Sequence, residues 1–263
     1  MHLILIVGAV LMVFPFLWQT LTAFKTYATS VQVPPVLFPD PWTITNFVEV
    51  FDTLPFGQMF VNSVLLTIGR TVGQVVLCTM AGYAFARMEF RGRNLVFILF
   101  LSVLMVPTQL YLLPQYEIIV QLGWLNTLQA LIVPGIFSAF GTFLMRQFFM
   151  SLPMELEEAA RLDGANQWQT FWKVMVPLAK PGIIALTVFT VLWSWNDLLW
   201  PLVVTTDPER MPLSVGLSQL VSVYNTDYPL LMAGSLLATI PMLITFIVLQ
   251  RQFIEGIAFS GMK

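Results

Sequence analysis

Long apolar windows alternate with short polar stretches along the whole chain. A helix that crosses a bilayer core needs about 20 mostly apolar residues, and six windows meet that requirement. With at most one charge in their interior, they predict spans at about residues 3–24, 58–87, 94–114, 127–146, 181–204 and 229–250. The polar stretches between the spans are too short for a soluble domain. We therefore expect an all-α, polytopic membrane protein with six transmembrane helices that form one domain over residues 1–263.

The composition excludes several classes of protein. Apolar residues make up 57% of the chain and charged residues only 10%, against roughly 25% charged residues in soluble domains. With a net charge of −2 the chain has no excess of cations for phosphates, so we expect no nucleic-acid partner. The single cysteine and single histidine argue against a metal site. The first apolar window has no basic residue before it and exceeds the 7–15 residues of a signal-peptide core, which favours a retained span.

Basic residues are distributed unequally between the two sets of loops. If the loop after the second span is cytoplasmic, nine of the 12 basic residues lie on that side: Arg87, Arg91, Arg93, Arg146, Arg161, Lys173, Lys180, Arg251 and Lys263. Only Lys25 and Arg210 lie on the other side, and Arg70 lies inside a span. The positive-inside rule then predicts that both termini are cytoplasmic.

The polar segment 151–180, on the predicted cytoplasmic side, reads as two short helices. Ser151 is a candidate N-cap for the first helix, and Glu157 and Arg161 form a favourable i,i+4 pair on it. Gly164 is suited to end this helix in the left-handed conformation. Asn166 can cap the second helix, which Pro177 should stop. Helices of this length cannot cross a membrane, so the pair forms either a surface for another protein or an amphipathic pair on the membrane.

A spaced motif in this segment carries a family resemblance. Glu158-Ala159-Ala160 is followed after three residues by Gly164, and after nine more by Val174-Met175-Val176-Pro177. This pattern resembles the EAA loop of ABC importer permeases, with valines where the family usually has Ile and Leu. Further stretches (PDPWTITNFVEVF, AGYAFARMEFRGR, WNDLLWPL and QRQFIEGIAFSGMK) are similar to the second permease subunit of carbohydrate importers of the maltose-transporter type. Such permeases usually begin with a basic tail, which leaves open whether the natural start lies upstream.

The resemblance implies a transport complex in the bacterial or archaeal inner membrane. It implies a second permease subunit, two ATPase subunits and an extracytoplasmic solute-binding protein as partners, besides membrane lipid. The implied solute is a sugar, an oligosaccharide or a related compound such as a glycerol phosphate or its diester. Segment 151–180 would be the coupling loop that enters a groove of the ATPase. Its implied coupling residues are Glu158, Ala159, Ala160, Arg161, Asp163, Gly164, Ala165 and Pro177.

The chain has no phosphate-binding loop of the G-x-x-x-x-G-K-[ST] type. We therefore expect a transport subunit that is not itself an enzyme and holds no cofactor. ATP and Mg²⁺ would be bound by the partner ATPases.

Polar side chains inside the predicted spans are candidates for a substrate pathway. Arg70 can snorkel to the interface, pair within the protein or line the pathway. Trp195, Asn196 and Asp197 combine an aromatic face with polar groups, which suits sugars, although tryptophans at this depth also form interfacial belts. An ion-coupled secondary carrier would instead need an acid near the midplane, where only the off-centre Asp197 is available. An intramembrane enzyme would need a nucleophile with its base, and no such set is apparent.

The outer loop 207–228 is long enough to reach beyond the lipid headgroups. In similar permeases this loop contacts the docked binding protein. We therefore expect Tyr224, Asn225 and Asp227 to make that contact, against the alternative of a plain solvated loop.

Overall fold

The computed structural model describes residues 2–222 and 225–260, with side chains except at positions 3, 249 and 251–260. Every regular element in this part of the chain is helical, which confirms the predicted fold class. The α-helices in chain order are α1 His2–Ala23, α2 Tyr27–Ser30, α3 Thr45–Thr53, α4 Phe56–Arg87, α5 Arg93–Ser102, α6 Leu112–Gln121, α7 Leu128–Ile132, α8 Ala139–Ser151, α9 Glu155–Leu162, α10 Gln167–Thr170, α11 Val176–Leu178, α12 Lys180–Trp195, α13 Leu199–Val204, α14 Leu213–Gln219 and α15 Tyr228–Ser260. Short 3-10 turns cover Val103–Met105, Thr108–Tyr111 and Val133–Gly135, and a π-helical turn covers Phe171–Met175.

Three helices in the described residues are long and apolar enough to cross a membrane unbroken. They cover Ile4–Ala23, Phe56–Arg87 and Tyr228–Val248. Three bent helix pairs pass the same test, so the chain has up to six spans.

Three of the predicted spans are not continuous helices: two coincide with bent pairs and the third is interrupted within residues 181–204. Residues 94–114 bend by 95° between Met105 and Thr108, where Pro107 removes a backbone donor. Residues 127–146 bend by 41° after Pro134-Gly135. In the range 181–204, helix α12 ends at Trp195 and a separate helix α13 follows. A further bend of 74° separates α12 from the helical stretch Gln167–Leu178 before it. An apolar window in the sequence predicts the length of a membrane span, but it does not detect a break in the helix.

The chain divides into two compact units by its internal contacts. The first unit comprises residues 1–63 and 206–245, and buried amides organise it. Asn46 donates to the carbonyls of Ala23 and Lys25, at 2.7 and 2.8 Å. Asn62 donates to the carbonyls of Glu209 and Met211, at 2.8 and 3.0 Å. Backbone segments far apart in sequence are thereby joined.

Lys25 is the buried cation of this first unit, with 2% of its surface exposed. Its ammonium donates to the carbonyl of Val36 at 2.5 Å and lies 4.6 Å from the centre of the Trp18 ring. Burial lowers the pKa of Lys25 from its ordinary value.

The second unit comprises residues 64–205 and 246–263, and it contains the coupling loop. Two apolar clusters of described residues lie in its core. The first consists of Cys78, Tyr83, Met145, Phe149, Phe171, Met175, Ala179 and Leu186. The second consists of Leu66, Ile119, Ala130, Leu131, Trp200 and Val204. The first cluster anchors the coupling loop, because it includes Phe171 and Met175 from that loop together with residues of α4, α8 and α12.

Candidate functional site

The first coupling helix, α9, begins later than the sequence predicted. Ser151 is the last residue of α8, and its hydroxyl donates to the carbonyl of Phe148 at 2.7 Å, so its prediction as an N-cap is wrong. Helix α9 starts at Glu155, after Met154, whose side chain makes no capping hydrogen bond. Three glutamates occupy its first turn and Arg161 its last turn, as the helix dipole favours.

Gly164 turns the chain between the two coupling helices, as predicted. Its φ of +82° lies in the left-handed region that favours glycine. The N–H of Gly164 donates to the carbonyl of Arg161 at 3.0 Å, and that of Ala165 donates to the carbonyl of Ala160 at 2.9 Å. This pair of bonds is a Schellman motif, which satisfies carbonyls at the end of α9.

Asn166 caps the second coupling helix, again as predicted. Its side chain accepts from the Gln169 N–H, and the Gln169 side chain accepts from the Asn166 N–H, both at 2.9 Å, which completes a capping box. Pro177 does not stop this helix, because the helical stretch runs on to Leu178. The π-helical turn Phe171–Met175 ends two residues before Pro177, and its wider turn reduces the clash expected between the proline ring and the turn before it.

The coupling loop divides into an exposed and a buried face. Glu158, Ala159, Arg161 and Asp163 are exposed, and Leu162 has 89% of its surface exposed. Ala160 and Ala165 are half-buried. Glu157, by contrast, has 1% of its surface exposed although it neighbours Glu158. The sequence presented Glu157 only as one half of a surface pair with Arg161, so its burial was missed.

Arg87, at the end of α4, is the main partner of Glu157. Its Nε lies 3.4 Å from Glu157 Oε1, whereas Arg161 Nη2 lies 3.8 Å from Oε2. No hydrogen bond of ordinary geometry reaches either carboxylate oxygen from the described residues. Burial raises the pKa of Glu157, while Arg87, Arg161 and the nearby Tyr83 hydroxyl act in the opposite direction.

The guanidinium of Arg87 also joins α4 to the end of α8. Its Nε and Nη2 donate to the carbonyl of Phe149 at 3.1 and 2.6 Å, and Nη2 also donates to the carbonyl of Leu152. Nη1 lies 2.8 Å from the sulfur of Met154. One side chain therefore contacts α8, the linker after it and α9.

A second arginine of α4 makes an ion pair within a membrane span. Arg70 Nη1 donates to Asp197 Oδ2 at 2.7 Å, and its Nε donates to the carbonyl of Leu131 at 2.8 Å. Gly135 permits this approach, because a Cβ there would lie 2.6 Å from Arg70 Nε. Of the possibilities left open for Arg70, the structure therefore shows pairing within the protein.

A cavity of about 250 Å³ adjoins this pair, lined among others by Arg70, Thr108, Tyr111, Gln115, Asp197 and Trp200. Of the four predicted pathway residues, Arg70 and Asp197 come together here. Trp195 is buried and does not line this cavity, and the amide of Asn196, the C-cap of α12, donates to the carbonyl of Leu192 at 2.8 Å. Trp200, a neighbour of Asp197 in the sequence that was not among the four predicted residues, also lines the cavity, and its indole N–H donates to the carbonyl of Ala130 at 2.8 Å.

The predicted binding-protein contacts lie in the first unit or outside the described residues. Tyr224 lies outside them. Asn225 is exposed and its side-chain oxygen accepts from the Tyr27 hydroxyl. Asp227 Oδ1 accepts from the N–H of Leu230 at 3.0 Å, so this carboxylate caps helix α15.

Comparison with known proteins gives a consistent family. The sequence profile described as "Binding-protein-dependent transport system inner membrane component" matches residues 74–253. The arabinooligosaccharides transport system permease protein AraQ of Halalkalibacterium halodurans is 37% identical over 97% of this chain and 92% of its own length. The sn-glycerol-3-phosphate transport system permease protein UgpE of Yersinia pestis is 34% identical over 98% of this chain and 95% of its own. The diacetylchitobiose uptake system permease protein NgcG of Streptomyces coelicolor is 33% identical over 98% and 86%.

The fold is also similar to that of a solved structure. A chain in the crystal structure of a bacterial ABC transporter involved in the import of the acidic polysaccharide alginate superimposes with a TM-score of 0.85. The match covers 96% of this chain and 94% of that one, at 24% identity. The chain belongs to the family of binding-protein-dependent transport system inner membrane components and is a permease subunit of an ABC importer.

Proposed function

We propose that this permease works with a second permease subunit and two ATPase subunits, and that it imports a neutral oligosaccharide delivered by an extracytoplasmic binding protein. ATP and Mg²⁺ are bound by the ATPases, and this chain holds no cofactor. The observation that carries the proposal is the shape of the coupling loop. Two short helices joined at Gly164 expose charged and apolar side chains.

Two exposed side chains of α9 define what this surface fits. Leu162 is almost fully exposed, and Glu158 is exposed one turn before it. A leucine so placed favours an apolar groove, and a carboxylate entering the same groove needs a cation opposite it. We propose that an arginine or lysine of the ATPase pairs with Glu158. Ala159 and Ala160 keep the helix narrow, and Gly164 sets the angle of the second helix.

The neutral charge of the intramembrane site supports an uncharged solute. Arg70 is the cation beside the cavity of about 250 Å³, and Asp197 neutralises it at 2.7 Å. A phosphate would have to compete with that carboxylate for the guanidinium, whereas sugar hydroxyls can use the polar rim formed by Thr108, Tyr111 and Gln115. The relatives named for arabinooligosaccharides and diacetylchitobiose are consistent with this class.

The solute class can be tested with the binding protein that co-purifies with the complex. Thermal-shift measurements with arabinotriose, diacetylchitobiose and glycerol 3-phosphate should give a stabilised binding protein only with an oligosaccharide, because a tight ligand stabilises its receptor by mass action. Stabilisation by glycerol 3-phosphate alone would contradict the neutral-solute proposal.

The nine-to-two distribution of basic residues supports cytoplasmic termini and a cytoplasmic coupling loop. Cysteines substituted at Arg91 and Lys173 should not react with an impermeant thiol reagent added outside intact cells, whereas one at Arg210 should. A cysteine at Lys263, which lies outside the described residues, should also be protected. Labelling of position 173 from outside would overturn this topology.

For the outer loop we propose that Asn225 and its neighbour Tyr224 contact the binding protein. Asp227 takes part through its effect on the start of α15, since its carboxylate caps that helix. Alanine at positions 224 and 225 should weaken the stimulation of ATP hydrolysis by the binding protein. Unchanged stimulation would favour a plain solvated loop.

The ATPase contact is tested by reversing charge on the coupling helix. Glu158→Lys should abolish uptake while the chain still inserts, and a reversed charge on the ATPase groove should restore part of it. Glu89→Lys is the matched control, because Glu89 is an exposed glutamate outside the coupling loop. Gly164→Val should misplace both helices and release the ATPase, since valine is strained at a φ of +82°. Wild-type uptake in both Glu158→Lys and Gly164→Val would contradict the coupling role of the loop.

A further inference from the structure

We propose that Arg87 and Glu157 are a positioning pair that clasps the coupling helix α9 to the ends of α4 and α8. This inference rests on the proposed function, and it names the residues that make the coupling loop move with its own subunit. Neither residue belongs to the Glu158-Ala159-Ala160 motif that carries the family resemblance.

The need for a clasp follows from the size of α9. The helix has eight residues, and isolated helices shorter than about 12 residues are marginal in water. Three glutamates and an arginine make up half of the helix, which leaves it few apolar side chains to pack against its neighbours. A helix of this kind keeps a fixed direction only through contacts with other elements.

Arg87 supplies those contacts because its guanidinium binds three places at once. It donates to the carbonyls of Phe149 and Leu152, where α8 ends, and it faces the buried carboxylate of Glu157. The planar fork of arginine suits this multiple contact, which the point charge of lysine cannot reproduce. Tyr83 closes the cluster, with its ring 5.4 Å from Phe149 and 4.9 Å from Phe171.

The burial of Glu157 is difficult to explain by stability alone. Glu157, with a side chain that is 2% exposed, pays for desolvation, and neither of its oxygens accepts a well-formed hydrogen bond from the described residues. Buried ion pairs contribute little net stability, and fixing one arrangement among several is the use they are best suited to. The buried charge at this position is therefore better explained by a role in holding α9 in a fixed direction relative to α4 and α8.

The alignment can be measured in the assembled complex of permease and ATPases in lipid nanodiscs. Nitroxide labels on cysteines at Glu89 and Gln167, both exposed, report the distance between the end of α4 and the coupling loop by pulsed electron spin resonance. The wild-type pair should give one narrow distance peak, the same without nucleotide and with ATP plus vanadate. Glu157→Gln and Arg87→Lys should each lose the single narrow peak, and the double variant should be no broader than either one.

A second measurement separates positioning from folding. Glu157→Gln removes a buried charge, so its thermal unfolding midpoint should be equal to or above that of the wild type while the distance peak is lost. Glu155→Gln is the control, because this exposed glutamate of the same helix makes no ion pair with the described residues. It should keep the narrow peak.

Several outcomes would overturn the clasp. Wild-type distance peaks in both single variants would do so, as would strictly additive broadening in the double variant. Loss of assembly in both single variants would show a purely structural role. Absence of any co-purified ATPase in the wild type would instead contradict the proposed function, and the same distance measurement on the permease alone would then decide the clasp.

Discussion

Two arginines of the same helix make opposite kinds of ion pair. Arg70 and Asp197 form a 2.7 Å hydrogen-bonded pair in which the carboxylate is 22% exposed. Arg87 and Glu157 stand 3.4 Å apart, with a carboxylate that is 2% exposed and with the guanidinium committed to backbone carbonyls. The first arrangement neutralises a cation inside a span. The second holds the acid of Glu157 in a buried position, although no well-formed hydrogen bond reaches its carboxylate oxygens in the described residues.

The difference between the pairs lies in what each can do when its partner is removed. An arginine cannot give up its proton, so Arg70 would remain charged. Glu157 already has a raised pKa and can take up a proton instead. The pair within the span should therefore be the more sensitive to substitution.

The largest effect is expected from Asp197→Asn. This change leaves Arg70 charged inside a span, and removing one partner of a buried pair costs about 3 kcal/mol or more. The purified chain should lose that free energy of unfolding in a denaturant titration in detergent. The combined replacement Arg70→Met and Asp197→Leu should recover most of it. Wild-type stability of Asp197→Asn would show that this pair is not the stronger one.

A smaller loss is expected from Arg87→Met. The variant loses the hydrogen bonds to the Phe149 and Leu152 carbonyls, at about 1 kcal/mol each, while Glu157 avoids a buried charge by protonation. The unfolding free energy should fall by about 2 kcal/mol, less than in Asp197→Asn. A larger loss than in Asp197→Asn would reverse the comparison.

The raised pKa of Glu157 gives a pH dependence with a definite sign. The folded chain binds this proton more tightly than the unfolded chain does, so the stabilisation is complete below the ordinary glutamate pKa of about 4.3. It is lost as pH rises through the higher pKa of the folded state. Arg87, Arg161 and Tyr83 face the group, and Lys173 on the neighbouring π-helical turn is exposed. Unfolding curves of wild type and Glu157→Gln should therefore diverge as pH rises through this window, and parallel curves would contradict the raised pKa.

The smallest effect is expected from Arg161→Ala. Its side chain is 61% exposed and lies 3.8 Å from Glu157, a geometry that contributes about 0.5 kcal/mol or less. The unfolding midpoint should change barely measurably, in contrast to Arg87→Met. A loss as large as that of Arg87→Met would show that Arg161, rather than Arg87, is the main partner of Glu157.

Features decided by near neighbours could be predicted from the sequence. Gly164 and Asn166 were placed correctly because the end and the start of a helix depend on side chains within a few positions. Ser151 was misplaced because α8 extends over it, held by the packing of Phe149 in the core. Sequence gave no sign that Glu157 meets Arg87, since 70 positions separate them and Glu157 also fits a surface pair.

The intramembrane site shows the same limit. Arg70 and Asp197 stood out because charges are rare in apolar windows, but nothing local indicated that they pair with each other. Trp195 and Asn196 were selected because they adjoin Asp197 in the sequence and combine an aromatic face with an amide, but the chain leaves its helix there: α12 ends at Trp195 and α13 restarts at Leu199. That break brings Trp200 to the cavity instead.

The bent helix pairs also have a consequence for how the chain enters the membrane. An unbroken helix such as Ile4–Ala23 satisfies its backbone within itself and can leave the translocon for lipid unaided. A pair bent by 95° exposes carbonyls and N–H groups at the break, and these groups cannot face hydrocarbon. We expect its insertion to depend on neighbouring segments that shield the break. We therefore expect the bent segments to settle in the membrane later than the unbroken helices.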